Sequence, residues 1–199
     1  MTSRRTAVIR AGLCLALAAL VAATSSAQAP AARAQAPVLV TSCGQSPGPL
    51  KITVFLKQLL VEYEYKPEAT AQDLASGKYK SLIIVTGASL KGMGAAGISI
   101  KEELTRTAAL VAEAKKRGVM LIGSHVEGME RRAQGAAPGD NSDELSIDAV
   151  CPKAQLLIVR KDGDEDGRFT TISKTSKIPL VLFEKNLELK DVLKNVYGK

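Results

Sequence analysis

Residues 81–118 read SLIIVTGASLKGMGAAGISIKEELTRTAALVAEAKKRG, and the way this stretch divides decides the fold. Ser81 to Thr86 is an unalternated apolar run, the pattern of a strand covered on both faces. Ser99-Ile100-Lys101-Glu102 is a capping box, with Ser99 as the N-cap and Glu102 returning to its amide. It opens a helix over 99–117 in which Ile100, Leu104, Ala108 and Val111 share one face. Lys115-Lys116-Arg117 suit the negative end of that helix, and Gly118 stops it. Val119 to Ser124 is a second buried apolar run. A strand, a helix and a further strand in this order form a right-handed crossover between parallel strands.

The same alternation extends in both directions. Further strands fit Val38-Leu39-Val40-Thr41, Leu156 to Arg160 and Leu180 to Phe183, with a weaker one around Val61 to Tyr65. Helical patterns cover 49–60, 70–76, 142–151, 169–176 and 187–197. The expected architecture is α/β, a doubly wound parallel sheet of five to six strands in a three-layer αβα sandwich. A flavodoxin-like order, 2-1-3-4-5 with the sixth strand at the edge, is preferred to the dinucleotide-type order because the second unit is short and polar.

Outside this alternation lies the N-terminus. Arg4, Arg5 and Arg10 precede an uncharged apolar run from Ala11 to Ala23, and small residues follow to Ala27-Gln28-Ala29. Residues 1–29 read as a secretory signal peptide, because the run is shorter than the roughly 20 residues a membrane-spanning helix needs. The Ser3-Arg4-Arg5 start hints at twin-arginine export. Cys14 lies within the run and lacks the context of a lipidation site. Residues 30–36, rich in Ala, Pro and Gln, read as a flexible leader to a single domain over 37–199. The expected location is periplasmic or secreted, with no membrane span once residues 1–29 are removed. Their removal lowers 27 basic residues to 24 against 20 acidic ones, a net of +4. Acids and bases are interleaved and aromatics are 4% of the chain, which argues against nucleic acid as a partner.

Gly92-Met93-Gly94-Ala95-Ala96-Gly97 spells G-x-G-x-x-G, yet a dinucleotide loop is not expected. In that fingerprint the last glycine packs inside the helix that receives the pyrophosphate, whereas here Ser99 caps the helix and Gly97 lies outside it. The motif also follows the third strand rather than the first. Two readings remain, a wide surface turn or a backbone cradle for a small anion with Lys91 inside it.

In a parallel sheet all strand C-termini share one edge, where ligands of open α/β folds bind. Four polar segments arrive there. These are Thr41-Ser42-Cys43-Gly44-Gln45-Ser46, the glycine-rich stretch, His125-Val126-Glu127-Gly128-Met129-Glu130-Arg131-Arg132, and Asp162 to Gly167. The phrases TSCGQS, GASLKGMGAAGIS, HVEGMERR and the DG and RFT after the fifth strand resemble an exported bacterial α/β family known only as a domain of unknown function. The resemblance covers nearly all of the chain after residue 29. It implies the fold and an exported location, and no activity. In that family the position of Cys43 can hold a plain small residue, and the stretch Ala133 to Asn141 is longer here.

Three chemistries compete at this edge. The first is a small anionic ligand held by Ser46, Ser89, Lys91, Gly92, Gly94, His125, Arg131 and Arg132. Adjacent arginines diverge by about 100° on a helix, so Arg131 is expected to matter more than Arg132. The second is a hydrolase or thiol enzyme using Cys43 and His125, the only histidine in the chain. One histidine with separated cysteines lacks the spacing of a closed zinc site. The third is an envelope interaction protein without a small ligand. No cofactor is required. Asp162, Asp164 and Asp166 open a D-x-D-x-D-G calcium pattern, but Ser173 stands where the twelfth-position glutamate belongs, so any calcium site would be weak. Cys43 and Cys151 are expected at opposite sheet edges and therefore unbridged. The oligomeric state is left open by the sequence.

Overall fold

The computed structural model describes residues 33–132 and 140–199. The signal peptide assigned to residues 1–29, Cys14 and most of the long Ala133 to Asn141 stretch lie outside the described residues. In chain order the elements are β1 (Val38–Cys43), α1 (Gly48–Gln58), β2 (Tyr63–Tyr65), α2 (Ala71–Ala75), β3 (Ser81–Thr86), α3 (Leu90–Ala96), α4 (Ile100–Arg117), β4 (Met120–His125), α5 (Ser142–Val150), β5 (Leu156–Arg160), α6 (Arg168–Ser176), β6 (Leu180–Phe183) and α7 (Glu188–Tyr197). Single 3-10 turns follow β4, α5 and β5, at Gly128–Arg131, Cys151–Lys153 and Lys161–Asp164.

All strand pairs are parallel and the sheet order is β2-β1-β3-β4-β5-β6, the flavodoxin-like order with the sixth strand at the edge. The central strands are buried along nearly their whole length because successive side chains enter opposite layers. Leu39, Leu82, Ile84 and Leu121 meet Leu74 of α2, Leu110 of α4, Ile147 of α5 and Phe169 of α6. Val38, Val40, Ile83 and Ile122 meet Ile52 and Leu56 of α1 and Leu189 and Leu193 of α7 on the other side. The chain is tied down before β1: the Ala34 amide donates to Val196 O at 2.9 Å, so the anchored part begins inside the stretch expected to be a flexible leader.

Helix α4 departs from expectation in its rotation. Its buried residues are Glu103, Thr107, Leu110, Val111 and Ala114, while Ala108 is exposed and Ile100 and Leu104 are half-buried. The cause is a charged residue drawn inward. The Glu103 carboxylate accepts the Gly44 amide at 2.8 Å, the Gln45 side-chain amide at 3.0 Å and a two-pronged contact from Arg106. Arg106 in turn donates to Ser42 O and Ala69 O, which welds the end of β1 to α4.

The glycine-rich stretch is a helix rather than a wide loop. Ser89 caps α3 by accepting the Gly92 amide at 3.0 Å, and Gly97 ends it with φ 69°. Gly92 is required there because a Cβ would overlap the carbonyl oxygen of Gln45. Gly94 meets no neighbour, and the Gly92 amide, one of the donors of the cradle reading, is taken by Ser89.

Candidate functional site

The loops after β1 and β3 close on each other at the point where the strand order reverses. Gly44 and Gly87 adopt φ 106° and 127°, and Gln45 bridges Ala88 in antiparallel fashion. The Ser89 amide donates to Gly44 O at 2.7 Å. The usual ligand crevice of an open α/β sheet is therefore filled between these two loops, and a cluster of polar side chains lies beside them, toward α1 and α5.

Four side chains define it. Ser46 is buried, and its hydroxyl accepts the Gly48 amide at 3.3 Å. Glu127, 4% exposed, accepts Nε of Arg131 at 3.0 Å through Oε1. Its Oε2 bonds no described residue, and sits at the start of α1 against Gly48, the position Ser46 also flanks. A helix N-terminus carries a partial positive charge, which accounts for a carboxylate held there. Arg131 is 30% exposed and lays its Cβ and Cγ over Gly87, a place no larger residue would leave open. Asp143, in the first turn of α5, accepts the Ala88 amide at 2.5 Å, while Ser146 Oγ accepts the Gly87 amide at 3.0 Å. Burial pushes the Asp143 carboxyl up to about 6, against the Ala88 hydrogen bond and the Arg131 charge, which hold it down. Asp140 and Glu144 add repulsion.

Of the residues singled out in the sequence, Ser46 and Arg131 belong to this cluster. Lys91 is exposed in the first turn of α3, and Ser89 is spent as a cap. Arg132 points the other way. It is buried, donating to Glu144 at 2.9 Å, to Gly163 O and to both oxygens of Asp166, with its guanidinium 5.6 Å from the Phe169 ring. It fastens the β4 loop to the β5 loop and is not free for a ligand. His125 is buried as well. Its ring nitrogens face Thr86 O and Gly128 O, both at 3.2 Å, and the ring lies 5.2 Å from Phe169. Burial pushes the imidazole below its usual range, so it serves as a neutral tie between loops and not as a ligand for anions.

The Cys43 and His125 pair does not form. Cys43 is in the core, where burial pushes its thiol up to about 12, the opposite of what a nucleophile requires. The expected separation of Cys43 from Cys151 is also corrected. The turn at Cys151 folds back under β4 against Gly123, and its thiol meets Thr86, the register partner of Cys43. Both cysteines are free and share one buried face of the sheet.

Nor do the three aspartates of the calcium pattern converge. Asp162 is forked by Arg160, Asp166 by Arg132, and Asp164 accepts the Phe169 and Thr170 amides and the Thr170 hydroxyl at the start of α6. Among the described residues no group of three or more His, Cys, Asp or Glu side chains is arranged to hold a metal ion.

The sequence did not single out Asp143, Ser146 or Glu103. Asp143 and Glu103 each lie in an acid-rich first helical turn, a pattern that surface helices also show. Glu127 stood out only as a member of the polar segment after β4.

Residues 35–197 match the family described as a domain of unknown function (DUF6305). No curated protein matches the chain in sequence. Among solved structures, the psychrotrophic esterase EstA from Pseudoalteromonas sp. is 10% identical with a TM-score of 0.34, over 81% of this chain and 94% of that one. The SGNH-hydrolase family esterase AlinE4 is 12% identical with a TM-score of 0.30, over 75% of each chain. These likenesses carry no argument about the chemistry of this chain. No helix among the described residues is long and apolar enough to cross a membrane.

Proposed function

Because the chain belongs to the family described as a domain of unknown function (DUF6305), its role has to come from its own residues, and we propose that it binds a small anion at the polar cluster around Arg131. One observation carries this reading. Of the other arginines at the C-terminal edge of the sheet, Arg106, Arg132 and Arg160 are each forked onto a carboxylate, and Arg168 bridges two. Arg131 bonds Glu127 through Nε alone, and its two terminal NH2 groups bond no other described residue. A guanidinium with that edge open matches a carboxylate, phosphate or sulfate in a two-pronged contact. Ser46 supplies a hydroxyl on the other side of Glu127.

Two carboxylates compete with the ligand, and one can be switched off. Asp143 takes up a proton near pH 6, so the local field becomes more favourable to an anion as pH falls through that value. Phosphate, sulfate and di- and tricarboxylates should be screened by thermal melting at constant ionic strength, which separates a site from general screening. A site selects among these anions, and at a hundred times Kd it adds about 2.7 kcal/mol of apparent stability. Equal shifts from every anion would remove the reading in favour of an envelope protein without a small ligand.

The Arg131 cluster is proposed to work outside the cytoplasm, on the strength of the Arg-led apolar run and the Ala27-Gln28-Ala29 site. Fractionation of expressing cells should find a product lacking Met1 to Ala29 outside the cytoplasm. A cytoplasmic product retaining Met1 contradicts export.

A further inference from the structure

At the opposite, N-terminal edge of the sheet two depressions adjoin. The first, about 730 Å³, lies between α4 and the turn before β5, and its walls include Ala108, Val111, Ala112, Val119, Leu121 and Pro152, with Lys115 and Lys153 beside them. The second, about 530 Å³, is lined by Arg33, Lys80 and Arg117, and by no acidic residue among those described. Gly118 and Val119 line both, so the two adjoin as a groove with a largely apolar and a cationic end.

The inward turn of Glu103 explains why the apolar end exists. With the buried face of α4 running through Glu103, Thr107, Leu110 and Ala114, the small apolar residues Ala108 and Ala112 are left exposed one turn apart. They flank the groove instead of filling the core. The charge at the other end is real and only partly neutralised. Arg117 is ion-paired with Glu113, while Arg33 and Lys80 pair with no carboxylate among the described residues. An alkyl chain fits one end by the hydrophobic effect, and an anion fits the other by charge.

We propose that this groove binds a single-chain anionic amphiphile, its head against Arg33, Lys80 and Arg117 and its chain along Ala108, Ala112, Val119 and Pro152. The site is separate from the Arg131 cluster, and either can fail without the other.

The test is calorimetric titration of the full chain with dodecanoate below its micelle concentration. Saturable one-to-one binding is expected. Each buried methylene tightens binding by about fourfold, so octanoate should bind at least about tenfold more weakly. Dodecyltrimethylammonium, with the same chain and the opposite charge, should weaken by at least as much, as should dodecanoate in the Arg33→Glu, Lys80→Glu double variant and in Ala112→Glu. All three positions are exposed, so a melting curve near wild type is expected and confirms that the variants fold. Equal affinity for both head groups, unchanged affinity in both variants, or binding to anionic phospholipid vesicles without binding to monomeric dodecanoate would each overturn the proposal.

Discussion

Oδ1 of Asp143 accepts the backbone amide of Ala88 at 2.5 Å, and this bond joins the first turn of α5 to the loop that leaves β3. The carboxylate is held in place by the amide yet raised by burial, a conflict that makes the pair sensitive to pH. The folded-state value of about 6 exceeds the ordinary 3.8. Between those values the native state binds more protons than the unfolded chain, so stability falls as pH rises from 3.8 to 6 and is flat above. Two units correspond to at most about 3 kcal/mol, reduced by partial solvent exposure. Urea unfolding at pH 4.5 and 7.5 should show this slope in the wild type. Asp143→Asn keeps the acceptor and should abolish the slope; an unchanged slope would place the titration elsewhere.

Glu103 and Arg106 form a buried pair that also satisfies Gly44 N and Ser42 O. Removing one partner strands the other charge, so Glu103→Ala or Arg106→Ala should each cost about 3–5 kcal/mol in denaturant unfolding. The double variant should cost less than the sum of the two single costs, because the stranded charge is absent. Strict additivity would show that the two act independently.

Cys43 and Cys151 are buried thiols, both pushed up to about 12 by desolvation. Neither should react with a thiol reagent at pH 8 in the native protein, and both should react at once in guanidinium. Fast native labelling of Cys43 would revive the cysteine nucleophile.

Much of the layout was legible because strand and helix periods are long-range consequences of burial. The apolar runs in β3, β4 and β5 and the capping box at Ser99 define the parallel order, and the order fixes which loops share an edge. Less legible was anything decided by a single side chain. The rotation of α4 turns on Glu103 going inward, and an acid in a first helical turn is ordinarily a surface residue. The glycine-rich stretch carried its own signals, Ser89 as N-cap and Gly97 as terminator, but three glycines in six residues lower helix propensity enough to mask them. Arg131 and Arg132 were separable in principle, since neighbours diverge. Which one stayed open depended on Asp166 and Glu144 arriving from α5 and the β5 loop.

The measurement closest to the central claim is calorimetric titration of wild type, Arg131→Ala and Arg131→Lys with the anion selected by the melting screen, at pH 5 and pH 7.5. Arg131 is the one arginine at the C-terminal edge of the sheet whose terminal NH2 groups bond no other described residue, and Asp143 beside it changes charge near pH 6. Wild-type affinity should be several-fold higher at pH 5, Arg131→Ala should lose at least about tenfold, equivalent to 1.4 kcal/mol, and Arg131→Lys should recover only part because it lacks the two-pronged geometry. Affinity that is unchanged in Arg131→Ala at both pH values would contradict the account.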